Sequence, residues 1–271
     1  MRGPPGRGCG RASSGQPQDA APARPPCNSR RGEAESSEDL NLPDYQAIPS
    51  PNIWNHPDIY EIENRGVDPD GLIWDAMRSV RSFDGARVLD VGCGTGFHLP
   101  ELARTAESVI GVEPHEPLVR TAQARVRGIR NVDVRLGGAE MLPVEEHSVD
   151  VMHNRWAYFF GGGCEPGLEE LDRVMAPDGV AFVVDNDASR STFGRWFREA
   201  WPTYDLVSVE RFWERQGWSK IPVLMRWKFE TRADFEAVVG IEFDRHHAEQ
   251  ILASHEGAEV DYAVWVRWKK Y

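Results

Sequence analysis

Val88-Leu89-Asp90-Val91-Gly92-Cys93-Gly94-Thr95-Gly96 is the stretch on which the fold turns. Its first part reads as a buried strand, and Leu99, Leu102 and Ala103 follow at helical spacing, with a helix expected to start near Thr95. Glycines between them lack β-carbons, which permits a tight strand-to-helix turn and lets a ligand approach the backbone closely. A dinucleotide fingerprint, GxGxxG, would place its third glycine where Phe97 stands. The loop reads GxGxG instead, with Asp90 two residues before the first glycine. Phosphate disfavours a carboxylate at that place, whereas a ligand with an ammonium group, such as the amino-acid end of S-adenosylmethionine, is suited by it. Glycine turns also occur as plain connectors, so the surrounding sequence has to decide.

Outward from the loop, short β-rich apolar runs alternate with helical stretches. Strands are expected over Arg87–Val91, Ser108–Val112, Val132–Leu136, Val149–His153 and Val180–Val184, with further helices starting near His115 and Glu165. Such alternation predicts an α/β fold, a doubly wound, mostly parallel sheet with right-handed crossovers and helices on both faces. Ligands in such sheets sit at the carboxyl ends of the strands. The second strand ends at Val112-Glu113, where Glu113 is either a surface acid after a strand or, at this spacing from the loop, a carboxylate that could accept both ribose hydroxyls of an adenosine. The third is followed by Gly137-Gly138-Ala139-Glu140-Met141-Leu142-Pro143, and Leu171 to Gly179 closes a helix with a turn into the fifth.

Composition bounds the function. The 271 residues are 41% hydrophobic and 27% charged, which is globular, and the net charge of −12 from 31 basic and 43 acidic residues repels a phosphate backbone. Nucleic-acid binding is therefore not expected. No apolar run is long enough for a membrane span, and no apolar h-region marks a secretory signal, so a cytoplasmic protein off the membrane is expected. Cys9, Cys27, Cys93 and Cys164 form no CxxC pair, so neither a disulfide scaffold nor a metal site is expected. Residues 1–31 hold six arginines against the single acid Asp19, and residues 1–40 have almost no large apolar side chain. That stretch is expected to be a disordered basic tail. Residues 41–84, with Trp54, Ile59, Tyr60, Ile62 and then Leu72, Ile73, Trp74, Met77 and Val80, read as a helical segment before a domain over 85–271.

With these motifs in order, residues 84–186 resemble the class I S-adenosylmethionine-dependent methyltransferases, particularly the small-molecule type with an LDVGCGTG…GVE…GxAExLP…FD series. The resemblance implies a Rossmann-like seven-stranded sheet whose last strand is inserted antiparallel. S-adenosylmethionine is the implied cofactor and S-adenosylhomocysteine the product. Asp90, Gly92 and Gly94 would lie by the methionine moiety, Glu113 by the ribose, and Ala139 would offer its backbone to the adenine. Met152 to Asn154 would contact the methionine amino group through a carbonyl. Many relatives carry an acid where Gly138 stands, so Glu140 or a backbone carbonyl must accept from the adenine amine. Glu140 is equally explained as an acid favoured at a helix N-terminus.

On the acceptor side, His153 to Gly163 would face the transferred methyl. Tyr158 or Trp156 would wall that pocket, since a sulfonium methyl is attracted to aromatic faces, or these rings are core beneath a loop. His153 is a candidate general base because imidazole titrates near neutrality, or a structural strand-end histidine. Asp185, at the end of the fifth strand, is a candidate to orient an acceptor hydroxyl or amine, and Asp187 has the look of a helix cap. Aromatic helices over 189–218 either cover the acceptor pocket or are core. Ile221–Glu230 and Val260–Trp268 alternate as strands, with a Thr231-x-x-Asp234 capping box and a helix over 244–254 between them. The expected function is methyl transfer to an O, N or C atom of a small molecule by in-line displacement. The alternative is a noncatalytic adenosyl-ligand sensor on the same fold.

Overall fold

Each apolar run around the glycine loop forms a strand in the computed structural model, which describes residues 47–157 and 163–271. The expected tail over 1–40 and the candidate Tyr158 lie outside the described residues. Arg87–Val91 is β1, Ser108–Glu113 β2, Val132–Leu136 β3, Val149–His153 β4, Met175–Asn186 β5, Ser219–Lys228 β6 and Glu259–Lys270 β7. They make one seven-stranded sheet in the order β3-β2-β1-β4-β5-β7-β6. β1 to β5 pair in parallel, and β7 runs antiparallel to both β5 and β6. That is the doubly wound, mostly parallel Rossmann-like arrangement with an inserted antiparallel last strand.

Alternation along the strands builds two cores. Val88, Val151, Phe182 and Val184 face one side with Ile73 and Met77, while Leu89, Val91, Met152 and Val183 face the other with Leu171 and Trp213. Burial of each such side chain stabilises by about 1.5–3 kcal/mol, and with both faces covered the strand ends form a rigid floor. Helices α1 (Pro51–Asn55), α2 (Pro57–Gly66), α3 (Leu72–Val80), α4 (Leu99–Leu102), α5 (Glu116–Arg125) and α6 (Glu165–Val174) surround the first half. α7 (Thr192–Ala200), α8 (Leu206–Arg215), α9 (Arg232–Glu242) and α10 (Arg245–Ser254) follow. Thr231 caps α9, its Oγ1 accepting from Asp234 N at 3.1 Å and donating to Asp234 Oδ2 at 2.7 Å. The helices of the 47–80 stretch and the sheet belong to one unit.

Three local expectations are corrected. The helix after the loop starts at Leu99, not near Thr95, because Gly96 keeps the turn going at φ 75° and Pro100 stands in the helix's first turn. The turn expected before the fifth strand is a bulge within β5. Val149 pairs Met175 and Val151 pairs Val180, with Asp178 between them at φ 65°. Asp187 does not cap α7. Ser191 does, accepting from Gly194 N at 3.0 Å, while Asp187 accepts from Ser189 N and Arg190 Nε.

Candidate functional site

β1 delivers the glycine loop to the carboxyl edge of the sheet, where Gly92 N and Cys93 N donate to Val112 O at 2.8 and 3.1 Å. Gly92 and Gly94 adopt φ of 73° and 55°, a region that costs a residue with a β-carbon strain. Space is closed as well. A β-carbon on Gly92 would lie 2.5 Å from Ala157 Cβ, and one on Gly94 2.8 Å from Ile53 Cδ1. Cys93 is packed beneath the loop, and burial pushes its thiol well above the usual range. Cys164 is pushed up to about 12 by burial, so neither thiol is a nucleophile near neutral pH.

Glu113, at the end of β2, is 4% exposed. Its Oε2 accepts from Gly94 N and its Oε1 from His115 N, both at 3.0 Å. Burial nonetheless outweighs these donors and pushes the carboxyl up to about 7. Each oxygen of the ionised form retains a lone pair for a ligand. Asp90 accepts from His153 Nδ1 at 2.7 Å, and His153 Nε2 accepts from Arg155 Nε at 3.1 Å. Because a guanidinium can only donate, the imidazole proton must sit on Nδ1. The ring stacks on Trp74 at 5.2 Å and 6°, and burial holds its pKa below the ordinary value.

Asp90, Gly92, Gly94, Glu113, Ala139, Glu140 and His153 all line one cavity of about 300 Å³. Asn154 and Asp185 do not. Asn154 places its side-chain amide on Val91 O at 2.7 Å, and its main-chain carbonyl accepts from Val184 N at 2.9 Å. Asp185 points to the opposite face, toward Arg267 and Glu210. One of its oxygens accepts from Asn186 N, the other has no hydrogen-bond partner, and burial pushes the group up to about 6. His153 lines the cavity with both nitrogens engaged, which removes the free lone pair a general base needs. None of residues 189–218 lines the cavity. Phe193, Trp196 and Phe197 belong to one core and Phe212, Trp213 and Trp218 to the other.

The cavity is instead roofed by the N-terminal stretch, where sequence gave a helix face but no partner. Ile53, Trp54, Tyr60 and Asn64 line it. Trp54 stacks on His115 with ring centres 4.3 Å apart, and Asn52 Nδ2 donates to Glu242 Oε1 at 2.5 Å. Glu61 accepts from Thr95 Oγ1 in the glycine loop and pairs with Arg125 at 2.7 Å. Behind Tyr60, Glu63 is held well above the usual carboxylate range by burial and by Glu242. Trp156 sits at φ 53°, fixed by its backbone N–H on Val184 O and by its indole N–H on Asn186 Oδ1 at 2.8 Å.

Residues 89–183 match the family described as a methyltransferase domain. An uncharacterized methyltransferase, YcgJ of Bacillus subtilis, is 32% identical over 104 residues, 38% of this chain and 41% of that protein. A ubiquinone biosynthesis O-methyltransferase of Rhizobium etli is 32% identical over 123 residues, 45% of this chain and 46% of that protein. The chain thus spans less than half the length of these curated relatives. Among solved structures, that of YcgJ superposes with TM-score 0.55 at 17% identity, covering 74% of this chain and 98% of that one. Geranyl diphosphate C-methyltransferase of Streptomyces coelicolor, solved with S-adenosyl-L-homocysteine bound, gives 0.51 at 13% identity, covering 74% and 78%. These likenesses show the fold.

Proposed function

We propose, for a chain whose residues 89–183 match the methyltransferase domain family, that it transfers a methyl group from S-adenosylmethionine to an O, N or C atom of a small molecule. The observation that carries this reading is Glu113, buried at the cavity wall and bonded to both the glycine loop and the start of α5. The residues fit the cofactor, since the glycine loop and the carboxylates of Asp90, Glu113 and Glu140 line one cavity. Glu113 would accept the ribose hydroxyls, Asp90 would face the ammonium group, and the backbone at Ala139 with Glu140 would meet the adenine. When bound, the cofactor supplies a methyl sulfonium whose C–S bonding pair leaves with sulfur.

The chain's own part is orientation. Tyr60, Asn64 and Trp156 also line the cavity, and they would hold a small acceptor in line with the methyl. His153 orders Asp90 and takes no proton from the acceptor. Among the described residues, no helix is long and apolar enough to cross a membrane.

The test combines calorimetry with S-adenosylhomocysteine and a metabolite-extract screen with labelled methyl donor. A stoichiometric site and release of S-adenosylhomocysteine with an extract component are expected. Folded protein that binds none of the nucleoside would end the proposal.

A further inference from the structure

The roof of the cavity is tied to the C-terminal part of the chain by two acids that have no contact with the cavity itself. On α2, Tyr60 and Asn64 lie one turn apart and line the cavity. Glu63, between them, does not, and its carboxyl is hydrogen-bonded to that of Glu242 on α9. Ionised carboxylates only accept, so this bond exists only with a proton on one partner. Asn52 Nδ2 donates to Glu242 Oε1 at 2.5 Å and supports a charge there, whereas Glu63 has no such donor and its Oε2 is buried without a partner. The proton therefore sits on Glu63, which donates to Glu242. Through this one carboxylate α9 holds α1, by Asn52, and α2, by Glu63.

Nothing around the pair can replace that proton. Glu63 is buried and Glu242 half-buried, and neither has an ion-pair partner among the described residues. The titratable groups that face them are Tyr60 on α2 and Tyr262 on β7, both held protonated by burial and by these acids. Besides the pair itself, the charges acting on the two phenols are Glu113 of β2 and Asp185 of β5, again negative. Loss of the proton sets two carboxylates against each other with one oxygen already unpartnered, a state relieved by moving α2 off α9 and admitting water. Beyond Gly66 the chain stays moored, because Val67 bridges Trp227 and Asp68 N donates to Arg226 O at 3.2 Å. Movement is thereby confined to residues 51–66, which carry Ile53, Trp54, Tyr60 and Asn64 over the cavity. On the cavity side this stretch is held by the Glu61 pair with Arg125 and the Trp54 stack on His115, which have no share in the proton.

We propose that Glu63 and Glu242 form a latch whose shared proton shuts α1 and α2 over the cavity, and whose deprotonation lets both helices swing about Val67 to admit or release a ligand. Such a latch governs access and holds for any ligand the cavity takes. Hydrogen exchange of the full chain without ligand, read by mass spectrometry, gives protection factors for peptides over 51–66 and, as an internal control, over β4. From pH 6 to pH 9 the wild-type protection factor over 51–66 should fall about tenfold or more, while that of β4 holds within about twofold. In Glu63→Gln the side-chain amide donates to Glu242 at every pH, so residues 51–66 should keep the wild-type pH 6 protection at both pH values, within about twofold. Glu242→Gln, whose amide donates to Glu63, should behave the same and covers the case in which the first variant does not fold. Equal wild-type protection over 51–66 at pH 6 and pH 9 would overturn the latch. So would glutamine variants whose protection falls as in wild type, which assigns the opening to another group, or is already lost at pH 6. A parallel loss over β4 would overturn it as well, because it marks a general loosening instead of movement of the roof.

Discussion

Ligand binding should depend on pH through Glu113. Its carboxyl is pushed up to about 7 because burial penalises the charge more than Gly94 N and His115 N support it. Only the ionised form can accept from both ribose hydroxyls with both oxygens, so the competent fraction is roughly one in eleven at pH 6 and ten in eleven at pH 8 for a group titrating at 7. The dissociation constant for S-adenosylhomocysteine should accordingly weaken about tenfold from pH 8 to pH 6, or about 1.4 kcal/mol. Calorimetry at both pH values, repeated in buffers of different ionisation enthalpy, should show a proton released on binding at the lower pH. Glu113→Gln should bind more weakly at pH 8, by about 1.5–3 kcal/mol, and lose the dependence attributed to this group. Equal wild-type affinity at pH 6 and pH 8 would refute the reasoning, because it would mean either an ordinary carboxyl at 113 or a ligand indifferent to its charge.

Other outcomes follow from the same geometry. Gly94→Val should abolish S-adenosylhomocysteine binding and lower the melting temperature, since its φ of 55° adds about 1–3 kcal/mol of strain for a branched residue and the new side chain overlaps Ile53. Trp54→Ala should weaken S-adenosylhomocysteine and methylthioadenosine alike, about threefold to tenfold, as loss of a stack of about 0.5–1.5 kcal/mol does. Asp185→Asn should match wild type in chemical denaturation near pH 4 and exceed it by about 2–3 kcal/mol at pH 8. The acid's folded pKa of about 6 lies above its ordinary 3.8, so its contribution is complete below 3.8 and disappears as pH rises through 6, whereas the amide stays neutral throughout. A chain beginning at Leu42 should melt and bind as the full chain does.

That Asp90, Gly92, Gly94 and Glu113 line one cavity was legible because these residues lie close along the chain and their geometry is local. Asp90, Gly92 and Gly94 occupy one turn, and Glu113 ends the neighbouring strand in register with it. The acceptor half was not, for two physical reasons. Strand-end side chains alternate in direction, so the choice between Asp185 and Asn186 turns on a single residue of phase. Asn186, not Asp185, reaches Trp156 and Tyr262 on the cavity side. Secondly, the periodicity of Trp54, Ile59 and Tyr60 declares a helix face without declaring what it meets. Its partners, Glu242 for Asn52 and His115 for Trp54, lie far along the sequence. Aromatic density over 189–218 suggested a cover, yet these rings fill the two cores.

The roof is made early and anchored late. A ribosome releases α1 and α2 before any strand, yet Asn52 is held by Glu242, Val67 bridges Trp227, and Asp70 pairs with Arg226 at 2.7 Å. All three anchors belong to β6 and α9, which emerge after the glycine loop and β1 to β5 are already complete. Long-range closures of this kind slow folding because the chain must be ordered before contact is made. A nascent chain stopped short of β6 therefore carries the ligand floor with its first segment held only where Trp54 and Glu61 meet the glycine loop and α5, and a ligand seated between Trp54 and the loop would act as a template that hastens the last docking step.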